Sequence, residues 1–145
     1  MPRWLLVALL LLAGVLAYSN TLTVPLLLDD TISIAENPSI RRLWPPGPIL
    51  SPPATAGVGG RPLSNLSFAL NFAAGGLDVR GYHVVNLAIH LAAGLTLFGL
   101  VRRSLGLPAP GPAFSPDAAT RVAFTAALLW LLHPLQTESV TYISQ

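Results

Sequence analysis

The sequence predicts an all-α membrane protein: three transmembrane helices with a long first outer loop that carries a short interfacial helix. Two observations point there. Hydrophobic residues make up 52% of the 145 residues and charged residues only 10%, whereas a soluble domain carries about 25% charge. The apolar residues also gather into three long stretches separated by polar, Pro-rich or Gly-rich segments. The cationic residues are all Arg, and Ala, Leu, Gly and Pro are abundant. That bias suggests a GC-rich, bacterial genome. With no Cys, disulfides, thiolate nucleophiles and Cys-based zinc sites are excluded. A net charge of +2 with scattered Arg leaves no nucleic-acid footprint.

The first span is read over about residues 4–24, behind Met1-Pro2-Arg3. Its apolar heart, Trp4 to Tyr18, is short of the ~20 residues a span needs, and Leu22 to Leu28 extends it. Arg3 and Val15-Leu16-Ala17 would also suit a signal peptide; the later spans favour retention. The second span covers 82–101 and ends at Arg102-Arg103; the third covers 118–133, with Arg121 near its start. If the spans alternate, Arg3, Arg102, Arg103 and Arg121 fall on one side, as the positive-inside rule requires. The N-terminus and the connector 102–117 then face the cytoplasm. The loop 25–81 and the segment after His133 face outward. The expected location is a bacterial inner membrane, or the endoplasmic reticulum membrane if the chain is eukaryotic.

Within the outer loop, residues 45–60 (PPGPILSPPATAGVGG) are expected to be mobile, because so Pro- and Gly-rich a run does not build a core. Residues 62–74 put Leu63, Leu66 and Leu70 at near-helical spacing, with Asn65, Ser67 and Asn71 as the polar positions. A short helix lying in the membrane interface is predicted, ended by Gly75-Gly76. Asn65-Leu66-Ser67 also spells an N-glycosylation sequon, a tripeptide common by chance.

Polar residues in and beside the spans are the candidates for chemistry. His83, Asn86 and His90 share one face of the second span. His90 lies about 13 Å inside that helix and is expected to hydrogen-bond to neighbouring helices, while His83 is near enough to the outer surface to reach a ligand. Pro134 should interrupt the third span and start a new helix with Glu138 in its first turn. No spacing of His and carboxylates matches a standard ligand set, so no residue is assigned to a metal. Asp29 and Asp30 hold two of only six acidic residues, side by side at the membrane edge, where carboxylates mark functional sites. Two solvated carboxylates at a loop entry are the plainer alternative.

Three blocks, LLLDDTISIAENPSIRRLW, RPLSNLSFALNFAAGGLDVRGYHVVNLAIH and LLHPLQTESVTYISQ, resemble successive blocks of one family. It is the integral-membrane glycosyltransferases linked to tetratricopeptide repeats, which includes the transmembrane O-mannosyltransferases of animals. The resemblance implies a polytopic fold of the GT-C class with a catalytic acid in the first outer loop. It implies that Asp29 or Asp30, with a slight preference for Asp30, is the general base on an acceptor hydroxyl, since the pair matches the position of the family's paired aspartates. It further implies a polyprenyl-phosphate-sugar donor, Arg61 as partner for its phosphate, and Arg80 and His83 as weaker candidates. His133 and Glu138 match the family's HP-x-x-TE block and join the substrate-binding set without an individual role.

The expected partners are therefore the polyprenyl-phosphate-sugar, a protein or glycan hydroxyl and membrane lipids, with the lipid-linked donor as substrate and no separate cofactor. No 34-residue repeat occurs in the chain, and the family continues through further spans. The expectation is an N-terminal piece of a larger enzyme, inactive alone. A small non-enzymatic multi-pass membrane protein and a transporter fragment are the competing readings.

Overall fold

A computed structural model describes residues 1–107 and 114–144. Residues 108–113, the heart of the Pro-rich connector, lie outside the described residues. All regular elements described are helical, and by contact the chain divides into two compact units. The first comprises Met1–Ser19 and Leu87–Thr137, the second Asn20–Asn86 and Glu138–Gln145.

The first unit is built from α1 (Arg3–Tyr18), the part of α4 (Val79–Leu105) from Leu87 onward, and α5 (Pro116–Leu131). Leu6, Leu10, Gly14 and Tyr18 are the buried residues of α1; Ala119, Ala123, Ala127 and Leu131 are those of α5. Both sets repeat every fourth residue, so each forms one stripe along its helix. Small side chains on the α5 stripe let the two helices approach closely, as in membrane helix pairs. Leu10, Phe98, Ala123 and Ala127 make the core, with Val7, Leu95 and Phe124 packed around it. Gly94 belongs to the same fit: a Cβ there would stand 2.8 Å from Leu131 Cδ1.

Local chemistry sets the helix ends. Ser115 caps α5 by accepting the Ala118 N–H at 3.2 Å, Pro116 occupies the first turn and Asp117 faces the helix dipole. Arg102 and Arg103 sit in the last turn of α4, where cations suit the carbonyl end. The end of α5 poses a particular problem. Pro134 has no N–H to give the Leu131 carbonyl, and the Leu135 N–H goes to His133 Nδ1 at 3.2 Å. Two side chains meet the demand instead: Tyr18 Oη donates to Leu131 O at 3.0 Å and His90 Nε2 lies 3.0 Å from the same oxygen. His90 also stacks on Trp130, with ring centroids 5.0 Å apart, and meets Tyr18 edge-on at 5.1 Å. The helix-contact reading of His90 is what the geometry supports.

Arg3–Thr23 (α1 continued by the 3₁₀ turn Ser19–Thr23) and Val79–Leu105 are long and apolar enough to cross a membrane, with mean hydropathies of 2.1 and 2.0. Only 28% and 22% of their apolar windows is buried, unlike the core helix of a soluble protein. The 16 residues of α5 rise about 24 Å, less than the ~30 Å hydrocarbon core.

The second unit holds short turns at Thr31–Ala35, Pro38–Ile40 and Ala54–Ala56, together with α2 (Gly47–Leu50), α3 (Pro62–Gly75), the first residues of α4 and the end of α6 (Gln136–Thr141). Its core includes Ile34, Ile40, Ile49, Ala56, Val58, Phe68 and Tyr82. Ile49 and Val58 are 1% and 0% exposed, which corrects the expectation of a mobile 45–60 segment. Its prolines and glycines shape turns, and three apolar side chains between them reach the core. Gly57 is needed as glycine: its φ is +65°, and a Cβ there would collide with Ser33 Oγ.

α3 begins with Pro62 in its first turn and ends at Gly76, whose N–H bonds Phe72 O at 2.8 Å. Its apolar leucines and its Asn65 point to opposite sides. Leu63 and Leu70 are exposed, while Asn65 is completely buried. Asn65 Nδ2 donates to Ser39 Oγ and Ile49 O, both at 2.9 Å, and Asn65 Oδ1 accepts from Asn37 Nδ2 at 2.9 Å. Asn37 Nδ2 also donates to Ser33 O, and its Oδ1 accepts from the Ser39 N–H and hydroxyl. Each amide is thus satisfied on both of its ends, which makes the polar side of α3 its inward side. It also removes the sequon from use in the folded state, since the nitrogen to be glycosylated is buried and donates twice.

Two outcomes follow from this packing. Asn65→Ala leaves Ile49 O, Ser39 Oγ and Asn37 Nδ2 short of partners and should cost about 2–3 kcal/mol, read as a lower denaturation midpoint in detergent. Ala123→Leu overfills the α1–α5 contact and should cost about 1–3 kcal/mol, with Ala123→Gly much milder in the same assay.

Candidate functional site

The second unit contains a cleft of about 190 Å³ lined by Leu28, Asp29, Glu138, Tyr142 and Ser144. It forms where the turn entering residues 31–35 meets the tail after α6. Leu28 has φ +47° and is 77% exposed, an uncommon conformation for a branched residue. It turns the chain so that adjacent aspartates take different roles. Asp29 is exposed and faces the cleft. Asp30 is 2% exposed; its Oδ1 accepts the Ile143 and Ser144 N–H groups at 3.1 and 2.8 Å, and its Oδ2 accepts the Leu27 N–H at 3.3 Å. Three backbone donors thus solvate the buried carboxylate.

The tail is gripped from other sides as well. Asn86 Nδ2 donates to Tyr142 O at 3.0 Å and, more weakly, to Ile143 O at 3.5 Å. Arg61 donates to Gly57 O at 2.7 Å and reaches Ser144 O at a long 3.5 Å. Side chains from residues 30, 61 and 86 therefore converge on the backbone of residues 142–144, which supplies one wall of the cleft.

The other sequence-derived candidates are placed as follows. Arg80 is exposed in the first turn of α4, its N–H bonded to Asp78 Oδ1 at 3.1 Å. His83 is fully buried, with Nε2 2.9 Å from Val24 O. Its Nδ1 is buried with no hydrogen-bond partner among the described residues. The expected reach of His83 to a surface ligand is thus corrected: the first turns of α4 pack it inward. Glu138 is exposed in the first turn of α6 and lines the cleft. His133 is exposed in the other unit, where its ring supports the turn into α6. Among the described residues, no group of three or more His, Asp or Glu is placed to hold a metal.

Sequence reasoning missed Tyr142 and Ser144. A signal for Tyr142 was present, because Glu138 and Tyr142 stand four apart and so share a helix face; the Tyr142 N–H bonds Glu138 O at 3.0 Å. Ser144 carried no signal, since only the folded tail brings it to Asp30. Arg41 was also unread. It donates to Ile34 O and Ala35 O and lies 4.3 Å from the Phe72 ring centroid, holding α3 to the 31–35 turn.

No protein-family model matches the chain, and no solved structure does. Curated proteins do. Protein O-mannosyl-transferase Tmtc1 of Drosophila melanogaster is 37% identical over 132 residues, which are 85% of this chain and 14% of that protein. Protein O-mannosyl-transferase tmtc2 of Xenopus laevis is 33% identical over 138 residues, 90% of this chain and 15% of the relative. Protein O-mannosyl-transferase Tmtc3 of Drosophila melanogaster is 28% identical over 148 residues. The chain spans about a seventh of the length of the curated relatives it matches. These are animal proteins, so a bacterial inner membrane draws no support from them. Over nearly its whole length, and over one limited stretch of theirs, this chain is a sequence relative of the protein O-mannosyl-transferases.

Proposed function

We propose that this segment carries the base-bearing cleft of a membrane glycosyltransferase of the GT-C class. That enzyme moves a sugar, mannose by likeness to its relatives, from a polyprenyl-phosphate donor to a protein Ser or Thr hydroxyl. One observation supports the assignment of roles: Asp29 faces the cleft, while the Asp30 carboxylate is taken up by three backbone N–H groups. Asp29 accepts the hydroxyl proton as the acceptor oxygen bonds the anomeric carbon. The bond from that carbon to the phosphate oxygen breaks, and the phosphate departs with the electron pair. A single displacement of this kind inverts the anomeric centre. A positioned base contributes about 10²–10⁴ in rate.

Arg61 borders the cleft through Ser144 O, and its remaining donors suit a phosphate. Arg80, exposed at the start of α4, is the second candidate cation for that phosphate. In this reading α5 is the third span, α3 lies in the interface with Leu63 and Leu70 outward, and the cleft faces the lumen or periplasm. Residues outside 1–145 complete the donor site, so transfer needs more than this segment.

The test is a chimera in which residues 1–145 replace the matching stretch of a full-length relative. Asp29→Asn should lower kcat by about 10²–10⁴ with normal expression. Asp30→Asn, whose Oδ1 still accepts the Ile143 and Ser144 N–H groups while its NH2 loses the Leu27 N–H and takes no proton, should stay within about tenfold of the parent. Asp30→Ala should speed hydrogen exchange at the Ile143 and Ser144 amides. Undiminished transfer by Asp29→Asn sinks the assignment; an Asp30→Asn variant as inert as expected for Asp29→Asn moves the base to Asp30.

A further inference from the structure

We propose that Tyr142 is the sugar-facing wall of this cleft and that Asn86 is the positioning residue that holds it there; the inference rests on the glycosyltransferase reading above. Tyr142 is half-buried and shares the cleft with Asp29 and Glu138. Its main chain is pinned at successive points. Its N–H donates to Glu138 O at 3.0 Å, its carbonyl accepts from Asn86 Nδ2 at 3.0 Å, and the next two N–H groups end on Asp30 Oδ1. A ring on so constrained a backbone has only its own two torsions left to vary, the low-entropy condition under which aromatic contacts bind well.

Size and charge select the ligand. The cleft holds about 190 Å³, below the ~300–1,000 Å³ typical of sites that enclose a drug-sized molecule. It suits one small polar ring and not a polyprenyl chain. The Asp29 carboxylate on the cleft wall disfavours an anion, which leaves the donor phosphate outside, toward Arg61. A pyranose fits what remains: its C–H face meets the Tyr142 ring and a ring hydroxyl donates to one Asp29 oxygen. Leu28, turned outward by its positive φ, adds an apolar edge. The cleft thus takes the transferred sugar ring, and Tyr142 contributes to sugar selectivity.

In the chimera, Tyr142→Ala should raise KM for polyprenyl-phosphate-mannose about tenfold, with a smaller fall in kcat and no change in acceptor KM. Tyr142→Phe, which keeps the ring, should match the parent. Asn86→Ala should shift donor KM in the same direction by a smaller factor. A rise in acceptor KM alone, or an unchanged donor KM in Tyr142→Ala, overturns the proposal. A second measurement separates it from the transferase reading. The chain 1–145, labelled with 3-fluorotyrosine in detergent, has three tyrosines, whose ¹⁹F resonances are assigned by single Phe substitutions. Methyl α-mannoside should shift the Tyr142 resonance and leave buried Tyr18 and Tyr82 unmoved. Such a shift in a chimera that transfers nothing keeps the sugar site and discards the transferase. No shift, where donor KM is unchanged or no transfer is measurable, discards the site.

Discussion

The pair of amides Asn37 and Asn65 is the interaction on which the second unit depends. Residues 37 and 65 stand 28 apart in sequence, and the prolines and glycines between them offer no regular ladder to join their flanks. The amides do that joining. Asn65 reaches the 3₁₀ turn through Ser39 and α2 through Ile49 O, and Asn37 reaches back to Ser33 O. In a dry environment a satisfied amide network is strong, and one with a missing member is costly. The network therefore specifies one packing of the loop and rejects neighbours in register. It also explains how a run with five prolines over residues 45–53 can be ordered: Ile49, Ala56 and Val58 drop into a frame that the amides already close.

Charge is handled with the same economy of partners. Arg41 and Arg61 bond backbone carbonyls, and Arg41 also rests on an aromatic face. Asp30 bonds backbone N–H groups. These charges are solvated by the main chain instead of by one another. With these three side chains matched to backbone, the exposed Asp29 is the carboxylate that faces the cleft.

Much of this was legible from the residues. Apolar runs gave the long helices, Pro62 and Gly76 bounded α3, and Pro134 foretold the break before α6. The inward role of Asn65 was not legible: periodicity put Leu63 and Leu70 on the apolar face of an interfacial helix and Asn65 among its polar positions, and only the Asn37 partner shows that the polar side packs against protein. The division between Asp29 and Asp30 was equally hidden. Adjacent carboxylates look equivalent in sequence, and the positive φ of Leu28 together with a tail 113 residues away makes them different. His83 failed for a related reason, since nothing in a helical pattern reveals that Val24 O lies opposite.

The carbonyl of Leu131 links three residues that are far apart in the chain. Proline at 134 creates an acceptor without a main-chain donor, and His90 and Tyr18 answer it. A lineage that exchanged Pro134 for another residue would regain an N–H in the turn, and the pressure to keep a hydrogen-bond donor at 90 and at 18 would relax. Proline, histidine and tyrosine should then be gained and lost together over evolutionary time, a linked inheritance written by one oxygen atom and not by any catalytic demand.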